Sequence, residues 1–172
     1  MIKKLLFLLL AFSVLSCGSS KKTASKRRVV KTKTTKTRTS TKRSSSKSHA
    51  IVATALKYKG TRYKYGGTTK KGMDCSGLMY VAFKTHQVLL PRVSYEQAKR
   101  GKKISKSSVK KGDLLFFRTN KNKKRINHVG LVVEAKKGVI KFIHSTTSRG
   151  VLVSSLDERY WKNAFAEARR VL

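Results

Sequence analysis

Cys75 is the residue best suited to chemistry in this 172-residue chain. It lies in the segment GMDCSGLMYVAF, residues 72–83, where a run with helical spacing begins. A thiol at the start of a helix faces free backbone amides and the positive end of the helix dipole, which stabilise a thiolate and lower its pKa from about 8.5. The same amides can receive an oxyanion. The segment therefore predicts a cysteine nucleophile, with a buried apolar thiol or a disulfide as alternatives.

Histidines are the candidate bases for this thiol, and the chain has four. His49 lies at the edge of a low-complexity segment, and His86 lies late in the predicted helix, about three turns beyond Cys75. Neither is expected to reach the thiol. His128 and His144 lie instead on two predicted strands, HVGLVVEA and VIKFIHST. They are the better candidates, although single histidines near strand ends are more often surface groups.

The register of these two strands decides whether the histidines meet. A hairpin with an odd loop of three or five residues, pairing Glu134 with Gly138, would set His128 directly opposite His144 on one face of the sheet. An even loop would put them on opposite faces. An imidazole beside the thiol with a second polar ring behind it is the arrangement that activates a cysteine nucleophile.

A metal site is the rival interpretation of the same residues. Cys75, His128 and His144 are all capable metal ligands, but the chain lacks the CxxC or HxxxH spacing that favours zinc. We therefore predict no metal and no organic cofactor.

The N-terminus has the pattern of an export signal. Residues 1–16 contain Lys3 and Lys4 followed by LLFLLLAFSVL, which is shorter than the roughly 20 apolar residues of a membrane-spanning helix. VLSC resembles the lipobox of bacterial lipoproteins, so Cys17 is predicted to be the lipidated first residue of the mature chain, with a plain cleaved signal as the alternative. Cys75 then has no disulfide partner within the chain, which favours the nucleophile.

Residues 17–48 are predicted to be a disordered tether. Beyond Cys17 they are almost entirely Lys, Arg, Ser and Thr, with no acidic residue, in a chain of formal net charge +35. Such a segment buries too little apolar surface to offset its ordering entropy. Its expected partners are anionic headgroups, lipopolysaccharide or acidic wall polymers. Nucleic acid is not expected, because the segment lacks aromatic residues for stacking and the chain is exported.

Residues 49–172 are predicted to form one domain with a single core. Helical spacing occurs in SHAIVATALKYKG, with Ser48 as its cap, in CSGLMYVAFKTHQV and in SYEQAKRGKKI. Short apolar runs typical of strands follow in GDLLFFR, NHVGLVVEA and VIKFIHSTT, whereas RYKYGGTTKKGMD is predicted to be a loop. Helices followed by a block of strands indicate an α+β fold with a largely antiparallel sheet.

Several of these segments together carry a family resemblance. GTRYKYGGTTKKGMDCSGLMYVAF, LPRVSYEQ, KKGDLLFF, NHVGLVV and FIHST resemble the NlpC-type cell-wall cysteine peptidases, a papain-like family, and in particular its small murein endopeptidase lipoproteins. The resemblance covers roughly residues 50 to 170. It implies a papain-like fold in which LDERYWKNAFAEARRVL supplies the closing strand.

The resemblance also implies the catalytic residues. Cys75 matches the nucleophile, His128 the general base and His144 the third polar residue that orients the base. Tyr63 matches a tyrosine that lies beside the nucleophile and helps to stabilise the oxyanion. A ring that only packs is the alternative for Tyr63.

Four further residues are predicted to contact substrate. Asp74 and Ser76 flank the thiol in a substrate-contacting loop of the family, and Arg92 and Ser94 are predicted to line the cleft. Asp74 could also cap the helix, since an Asp before a helix commonly accepts first-turn amides. A helix-capping loop explains Ser94 equally well.

The predicted function is that of an exported lipoprotein endopeptidase, acting as a monomer on peptidoglycan stem peptides or crosslinks. The alternatives are a catalytically silent scaffold that binds the wall, and an amidase or acyltransferase with the same Cys and His residues. Gly18 is not the aspartate that retains lipoproteins at the inner membrane of some bacteria. We therefore expect the protein in the cell envelope, anchored by Cys17 to the outer membrane and facing the periplasm.

Overall fold

A computed structural model describes residues 36–120 and 124–172, with side chains described from Arg43 onward. The predicted signal peptide, Cys17 and the first part of the tether lie outside the described residues. No helix within the described ranges is long and apolar enough to cross a membrane.

Four helices and eight strands alternate along the described chain. The helices are α1 Lys36–Leu56, α2 Cys75–Lys84, α3 Ser94–Gln97 and α4 Arg159–Ala164, with a 3-10 turn at Lys106–Ser108. The strands are β1 Thr68–Thr69, β2 Gly72–Met73, β3 Lys102–Ile104, β4 Leu114–Phe117, β5 His128–Lys136, β6 Val139–Thr146, β7 Gly150–Ser155 and β8 Phe165–Arg170. The predicted strands correspond to β4, β5 and β6, and the closing strand to β8.

An antiparallel sheet organises the fold. Its six strands follow the order β3-β8-β4-β5-β6-β7, and β1 pairs with β2 in a separate hairpin. That hairpin lies within RYKYGGTTKKGMD, which was predicted to be a loop without strands. Every strand pair within the two sheets is antiparallel. The predicted α+β class with a mainly antiparallel sheet is confirmed.

The sheet carries a hydrophobic cluster on each face rather than the predicted single core. Leu114 and Phe116 of β4 pack with the buried residues of α1 and α2, whereas Leu115 and Phe117 pack with Trp161 of α4. This alternation follows from the two-residue period of a strand. Both faces of β4 are therefore buried, which explains the unbroken apolar run LLFF.

Helix α2 is fixed by its inner face and its cap. The residues predicted to face inward, Leu78, Met79, Ala82 and Phe83, are all fully buried. Asp74 caps the helix through its side chain, which accepts a hydrogen bond from the Gly77 amide. Cys75 is therefore held at the first helical position, as predicted.

Helix α1 begins earlier than predicted. It starts at Lys36, so the predicted start at Ser48 is wrong and residues 36–48, predicted to be disordered, are helical. The Ser48 hydroxyl donates to the Ser44 carbonyl at 3.0 Å, as a serine inside a helix does. No Gly or Pro interrupts this Ser- and Thr-rich stretch. A Cβ added at Gly112 would lie only 2.6 Å from that of Ser48, so the helix packs against the strand-forming part of the domain at this point.

The turn between β5 and β6 decides between the odd and the even loop. Lys136 pairs with Val139, so the loop consists of only Lys137 and Gly138. Both turn residues have positive φ, 51° and 81°, as a tight type I′ hairpin requires. Of the two alternatives, the hairpin has the even loop, which by itself would put His128 and His144 on opposite faces of the sheet.

A β-bulge reverses the consequence of that even loop. Between Val132 and Glu134 the register of β5 on β6 shifts by one residue. On the His128 side of the bulge, Leu131 pairs with Ile143. The same register, continued by one residue, puts Gly130 opposite His144, so His144 is the diagonal neighbour of His128. The two histidines therefore share one face of the sheet, as predicted, although the reason is the bulge and not the loop length.

Candidate active site

The Cys75 thiol lies at the junction of α2 and β5. Cys75 is a free cysteine with only 9% of its surface exposed. Its sulfur is within hydrogen-bonding reach of the backbone of Val129, the residue after His128, and of the backbone of Cys75 and Ser76. These contacts place the start of β5 against the N-terminus of α2, with backbone groups around the sulfur that can receive an oxyanion.

The candidate base is His128, the first residue of β5. It is buried and lines the same cavity as Cys75. Its Nε2 lies 2.9 Å from Nδ1 of His144. This hydrogen bond leaves Nδ1 of His128 as the nitrogen available to the thiol.

A buried serine extends this contact into a relay of three side chains. His144 is fully buried, and its Nε2 lies 3.0 Å from the Ser154 hydroxyl on β7. When His144 donates to Ser154, its Nδ1 accepts from Nε2 of His128, and Nδ1 of His128 is then unprotonated. With the protons in this order, His128 has the tautomer that a general base requires.

Trp161 of α4 covers the imidazole pair. Its ring stacks on His128 with centroids 5.1 Å apart and 22° between the planes, and meets His144 edge-on at 4.5 Å. Phe117 and Phe142 also contact the two imidazoles and the indole. The relay is therefore enclosed by aromatic rings, which exclude water and hold both imidazoles in place.

The cavity above the thiol has a volume of about 380 Å³. Tyr63 lines it beside Cys75, and burial, followed by the charge of Cys75, raises the pKa of the tyrosine hydroxyl. The structure thus brings Tyr63 to the predicted place, and its oxyanion role stays a prediction. The other lining residues are Thr119, Asn127, His128, Ser145, Thr146, Thr147, Ser148, Arg149, Glu158, Tyr160 and Trp161.

Asp74 is the centre of a polar network behind the nucleophile. Its Oδ1 accepts from the Gly77 amide at 2.6 Å and from the Ser76 hydroxyl at 3.2 Å, and its Oδ2 accepts from the Gly66 amide at 2.8 Å. Arg92 donates to both carboxylate oxygens, at 2.9 and 2.8 Å, and to the Ser76 hydroxyl at 3.0 Å. These contacts hold the β2–α2 junction, and with it Cys75, in one position.

The four residues predicted to contact substrate do not line the cavity above the thiol. None of Asp74, Ser76, Arg92 and Ser94 is among the residues that line the cavity. Ser94 is buried at the start of α3. In the same helix Gln97 donates from Nε2 to the Ser76 carbonyl at 3.0 Å. The geometry supports the interpretation of Asp74 as a helix cap, and substrate contact by these residues stays a prediction.

The chain is similar to known proteins in both sequence and fold. A sequence profile of the NlpC/P60 family matches residues 60–170. The chain belongs to the NlpC/P60 family. A crystal structure of an NlpC/P60 family protein from Bacillus cereus has a TM-score of 0.66 and 30% identity, over 73% of this chain and 40% of that one. The family predicted from the motifs is confirmed.

Curated NlpC/P60 relatives carry hydrolase names. The probable endopeptidase NlpC homolog of Haemophilus influenzae is 44% identical over 124 residues, which is 72% of this chain and 62% of that protein. The murein DD-endopeptidase MepS/murein LD-carboxypeptidase of Escherichia coli is 46% identical over 116 residues, 67% of this chain and 58% of that protein. The matched region thus spans about three fifths of these relatives.

Burial sets the protonation states in this NlpC/P60 site. It raises the pKa of the Cys75 thiol to about 11, with the Asp74 charge adding to the rise and backbone hydrogen bonds opposing it. Burial also lowers the pKa of His128 to about 4. The predicted lowering of the thiol pKa is wrong, because desolvation outweighs the helix N-terminus. At neutral pH the resting pair is a neutral thiol and a neutral imidazole.

We expect no thiolate absorption at pH 7 from Cys75 in the resting protein. Because the folded thiol has a raised pKa, the ultraviolet thiolate band should appear only as the pH approaches about 11. The measurement is the difference spectrum between Cys17→Ser and Cys17→Ser/Cys75→Ser, which isolates one thiol. A band already present at neutral pH would show a resting thiolate–imidazolium pair.

Two residues of the site were not predicted from the sequence. Ser154 lies on β7, a strand that no predicted element covered, and Trp161 lies on α4, in a segment identified only as the closing strand. The alternation in VLVSS was the available signal for a strand that buries Ser154. Among residues 36–120 and 124–172, no group of three His, Cys, Asp or Glu side chains is placed to hold a metal ion.

Proposed function

We propose that this NlpC/P60 protein is an exported lipoprotein cysteine endopeptidase that hydrolyses peptide bonds in peptidoglycan stem peptides or their crosslinks. The observation that carries the proposal is the placement of Cys75 and His128 in one cavity, with His144 hydrogen-bonded behind the base. Relatives named as a murein endopeptidase and a probable endopeptidase support the substrate class.

Acylation follows from the positions of these groups. Nδ1 of His128 takes the proton from the Cys75 sulfur as the sulfur attacks the amide carbon, so the ion pair forms only when substrate is present. Backbone amides at Cys75 and Ser76 hold the oxyanion, and the Tyr63 hydroxyl assists. The imidazolium then protonates the leaving amine, the C–N bond breaks, and a thioester remains on Cys75.

Deacylation uses the same base in reverse. His128 takes a proton from water, the hydroxide attacks the thioester carbonyl, and the Cys75 thiolate leaves and regains a proton. Throughout, His144 accepts the Nε2 proton of His128 as a neutral hydrogen-bond partner. Burial lowers the pKa of His144, so it does not compete for the proton.

Export and anchoring complete the proposal. The signal-like residues 1–16 and the lipobox-like VLSC at Cys17 support an envelope lipoprotein, which we place at the outer membrane facing the periplasm. The net charge of +35 suits an anionic envelope, where polymers and headgroups attract a basic chain. Incorporation of labelled fatty acid into the wild type and not into Cys17→Ser tests the anchor.

Digestion of sacculi and defined muropeptides tests the activity. The full-length chain should release products whose masses show hydrolysed peptide bonds, and Cys75→Ser should release none. Loss of crosslinked dimers would identify a crosslink as the target, and shortened stems would identify a bond within one stem. Cys75-independent products, or binding without any product, would contradict the proposed endopeptidase.

A further inference from the structure

One buried hydroxyl joins the sheet that carries the relay to the segment that carries the nucleophile. Ser145 of β6 is 1% exposed, and its hydroxyl donates to the Met73 carbonyl at 2.7 Å. Met73 ends β2, two residues before Cys75. Within the described part of the chain, this is the only side-chain hydrogen bond between residues 60–84 and strands β4–β8, apart from the contact of the Cys75 thiol with Val129.

Consecutive residues of β6 serve the two faces of the sheet. His144 is hydrogen-bonded to His128 and to Ser154. The next residue, Ser145, is hydrogen-bonded to Met73 instead. This division follows because successive side chains of a strand point to opposite faces. A single strand therefore holds the partner of the base at one position and the nucleophile segment at the next.

Met73 also fixes the backbone of Tyr63. The two residues form a parallel bridge, in which the Met73 amide donates to the Arg62 carbonyl at 3.0 Å and the Met73 carbonyl accepts from the Lys64 amide at 3.3 Å. The carbonyl that accepts from Ser145 is thus the same one that accepts from the Tyr63 segment. A shift of Met73 relative to β6 therefore moves both the nucleophile and the tyrosine that lines the cavity beside it.

The fold alone does not explain a hydroxyl at this position. Val151, which pairs with Ser145 across β6 and β7, belongs with Ile143 to the apolar cluster that contains Met73. An alanine would fit this face without a polar group that needs a partner. The Met73 carbonyl would also keep the Lys64 amide as a donor. The hydroxyl is therefore needed neither to fill the core nor to satisfy the backbone.

We propose that Ser145 is a positioning residue, whose hydrogen bond to Met73 sets the distance between the nucleophile and the base. The inference rests on the proposed function and adds a residue that acts through Cys75 without touching the substrate. The step that it supports is sensitive to distance, because the neutral thiol transfers its proton to His128 only during attack. Misplacement of a reacting group by about 1 Å can lower a rate about 100-fold.

Replacing Ser145 by alanine should lower kcat about tenfold on a stem peptide and change KM less than about twofold. The substrate still binds in the cavity, but fewer of the bound complexes have the sulfur and the imidazole at reacting distance. Steady-state kinetics on the full-length chain measures both constants. A raised KM at unchanged kcat would indicate that Ser145 binds substrate and would overturn the positioning role.

Two control variants separate positioning from a loss of stability. Ile140→Val makes a small cavity at the other end of β6, and Ser48→Ala removes a hydroxyl that donates to a backbone carbonyl of α1 at 3.0 Å. Neither residue is hydrogen-bonded to Met73 through its side chain, so both variants should keep wild-type kcat. Urea denaturation gives the stability of all three variants. If kcat simply follows stability across the set, Ser145 has only a structural role.

Alkylation of Cys75 by iodoacetamide, followed by mass spectrometry, tests the geometry without peptidoglycan. In the full-length Cys17→Ser chain at pH 7, Ser145→Ala should lower the alkylation rate about tenfold, because His128 then assists deprotonation less well. In the Cys17→Ser/His128→Ala chain, the same substitution should leave the rate unchanged. Equal factors in both backgrounds would mean that the hydroxyl affects only the exposure of the thiol, which contradicts the proposal.

The two readouts separate this inference from the proposed function. If the wild type releases no peptidoglycan product but alkylation shows the coupling between Ser145 and His128, the endopeptidase is contradicted and the positioning role stands. If turnover depends on Cys75 but Ser145→Ala keeps the wild-type kcat and alkylation rate, the endopeptidase stands and the positioning role is contradicted.

Discussion

Replacing His128 by alanine should lower kcat/KM about 1,000-fold or more, because the thiol then has no base. In the resting protein both Cys75 and His128 are neutral, since burial raises the pKa of the thiol to about 11 and lowers that of the imidazole to about 4. Proton transfer must therefore accompany attack. Without the imidazole the thiol stays protonated over the whole neutral range.

Steady-state kinetics on a stem peptide, with circular dichroism to confirm folding, measures this loss. His49→Ala is the matched control, since His49 is exposed on α1 and does not line the cavity. It should retain wild-type kinetics. His128→Ala with at least a tenth of wild-type activity would exclude His128 as the base.

Replacing His144 should lower kcat/KM less than replacing His128, and the loss should depend on the side chain introduced. His144→Leu removes the acceptor for Nε2 of His128, so we expect kcat/KM to fall about 100-fold through misorientation of the base. His144→Asn can place its carbonyl oxygen near the position of Nδ1 and should restore most of the activity. A purely structural His144 would give equal losses in both variants, in proportion to their loss of stability.

Ser154 acts at the far end of the relay. Its hydroxyl lies 3.0 Å from Nε2 of His144, and both side chains are buried. The hydroxyl can accept from His144, which keeps Nδ1 of that ring as an acceptor and Nδ1 of His128 as a base. With Ser154 as the acceptor, the hydrogen-bond direction along the three side chains leaves the catalytic nitrogen unprotonated.

The nucleophile and its helix could be predicted from the sequence because their signals are local. Asp74 precedes Cys75 as a cap, and the apolar spacing after Cys75 gives one buried face. The strand pattern made His128 and His144 the candidate bases, and the family resemblance assigned their roles and added Tyr63 and the closing strand. Local periodicity and motif order therefore determined the fold class and the choice of catalytic residues.

Features that depend on tertiary packing could not be predicted in this way. The β-bulge between Val132 and Glu134 corrects the parity of a two-residue loop, and no local signal marks it. The raised pKa of Cys75 comes from its burial at the junction of α2 and β5, whereas the helix N-terminus alone predicts the opposite direction. Burial of this kind depends on elements distant in sequence.

Removing the Asp74 carboxylate should lower the free energy of unfolding far more than removing an exposed acidic side chain. Asp74 is 6% exposed and accepts hydrogen bonds from both terminal guanidinium nitrogens of Arg92 and from two backbone amides. Asp74→Ala leaves these donors without their acceptor, so we expect a loss of about 3 kcal/mol in the free energy of unfolding. Urea denaturation of the full-length chain measures it. Glu96→Ala breaks an exposed pair with Lys99 and should cost about 0.5 kcal/mol or less.

The pH dependence of the free energy of unfolding shows whether the negative charge of Asp74 causes this stabilisation. Burial by itself raises the pKa of Asp74. The hydrogen bonds from Arg92 and Gly77 and the charge of Arg92 lower it by more than burial raises it, so the net pKa is below the ordinary value. A carboxyl with a lowered pKa in the folded state stabilises the fold above its unfolded pKa of about 3.9, and this contribution is lost as the pH falls. Asp74→Asn should lack that acid-dependent loss.

The same variants separate a supporting role of Asp74 from contact with substrate. If Asp74 acts by holding the β2–α2 junction, an Asp74→Ala/Arg92→Ala double-mutant cycle should show coupling between the two residues in stability, and kcat should fall because Cys75 is misplaced. If Asp74 binds substrate directly, KM should rise in Asp74→Asn while stability at neutral pH changes little. The first result is favoured, because Asp74 does not line the cavity and makes a bidentate contact with Arg92. A carboxylate already hydrogen-bonded to four partners has little capacity left for a ligand.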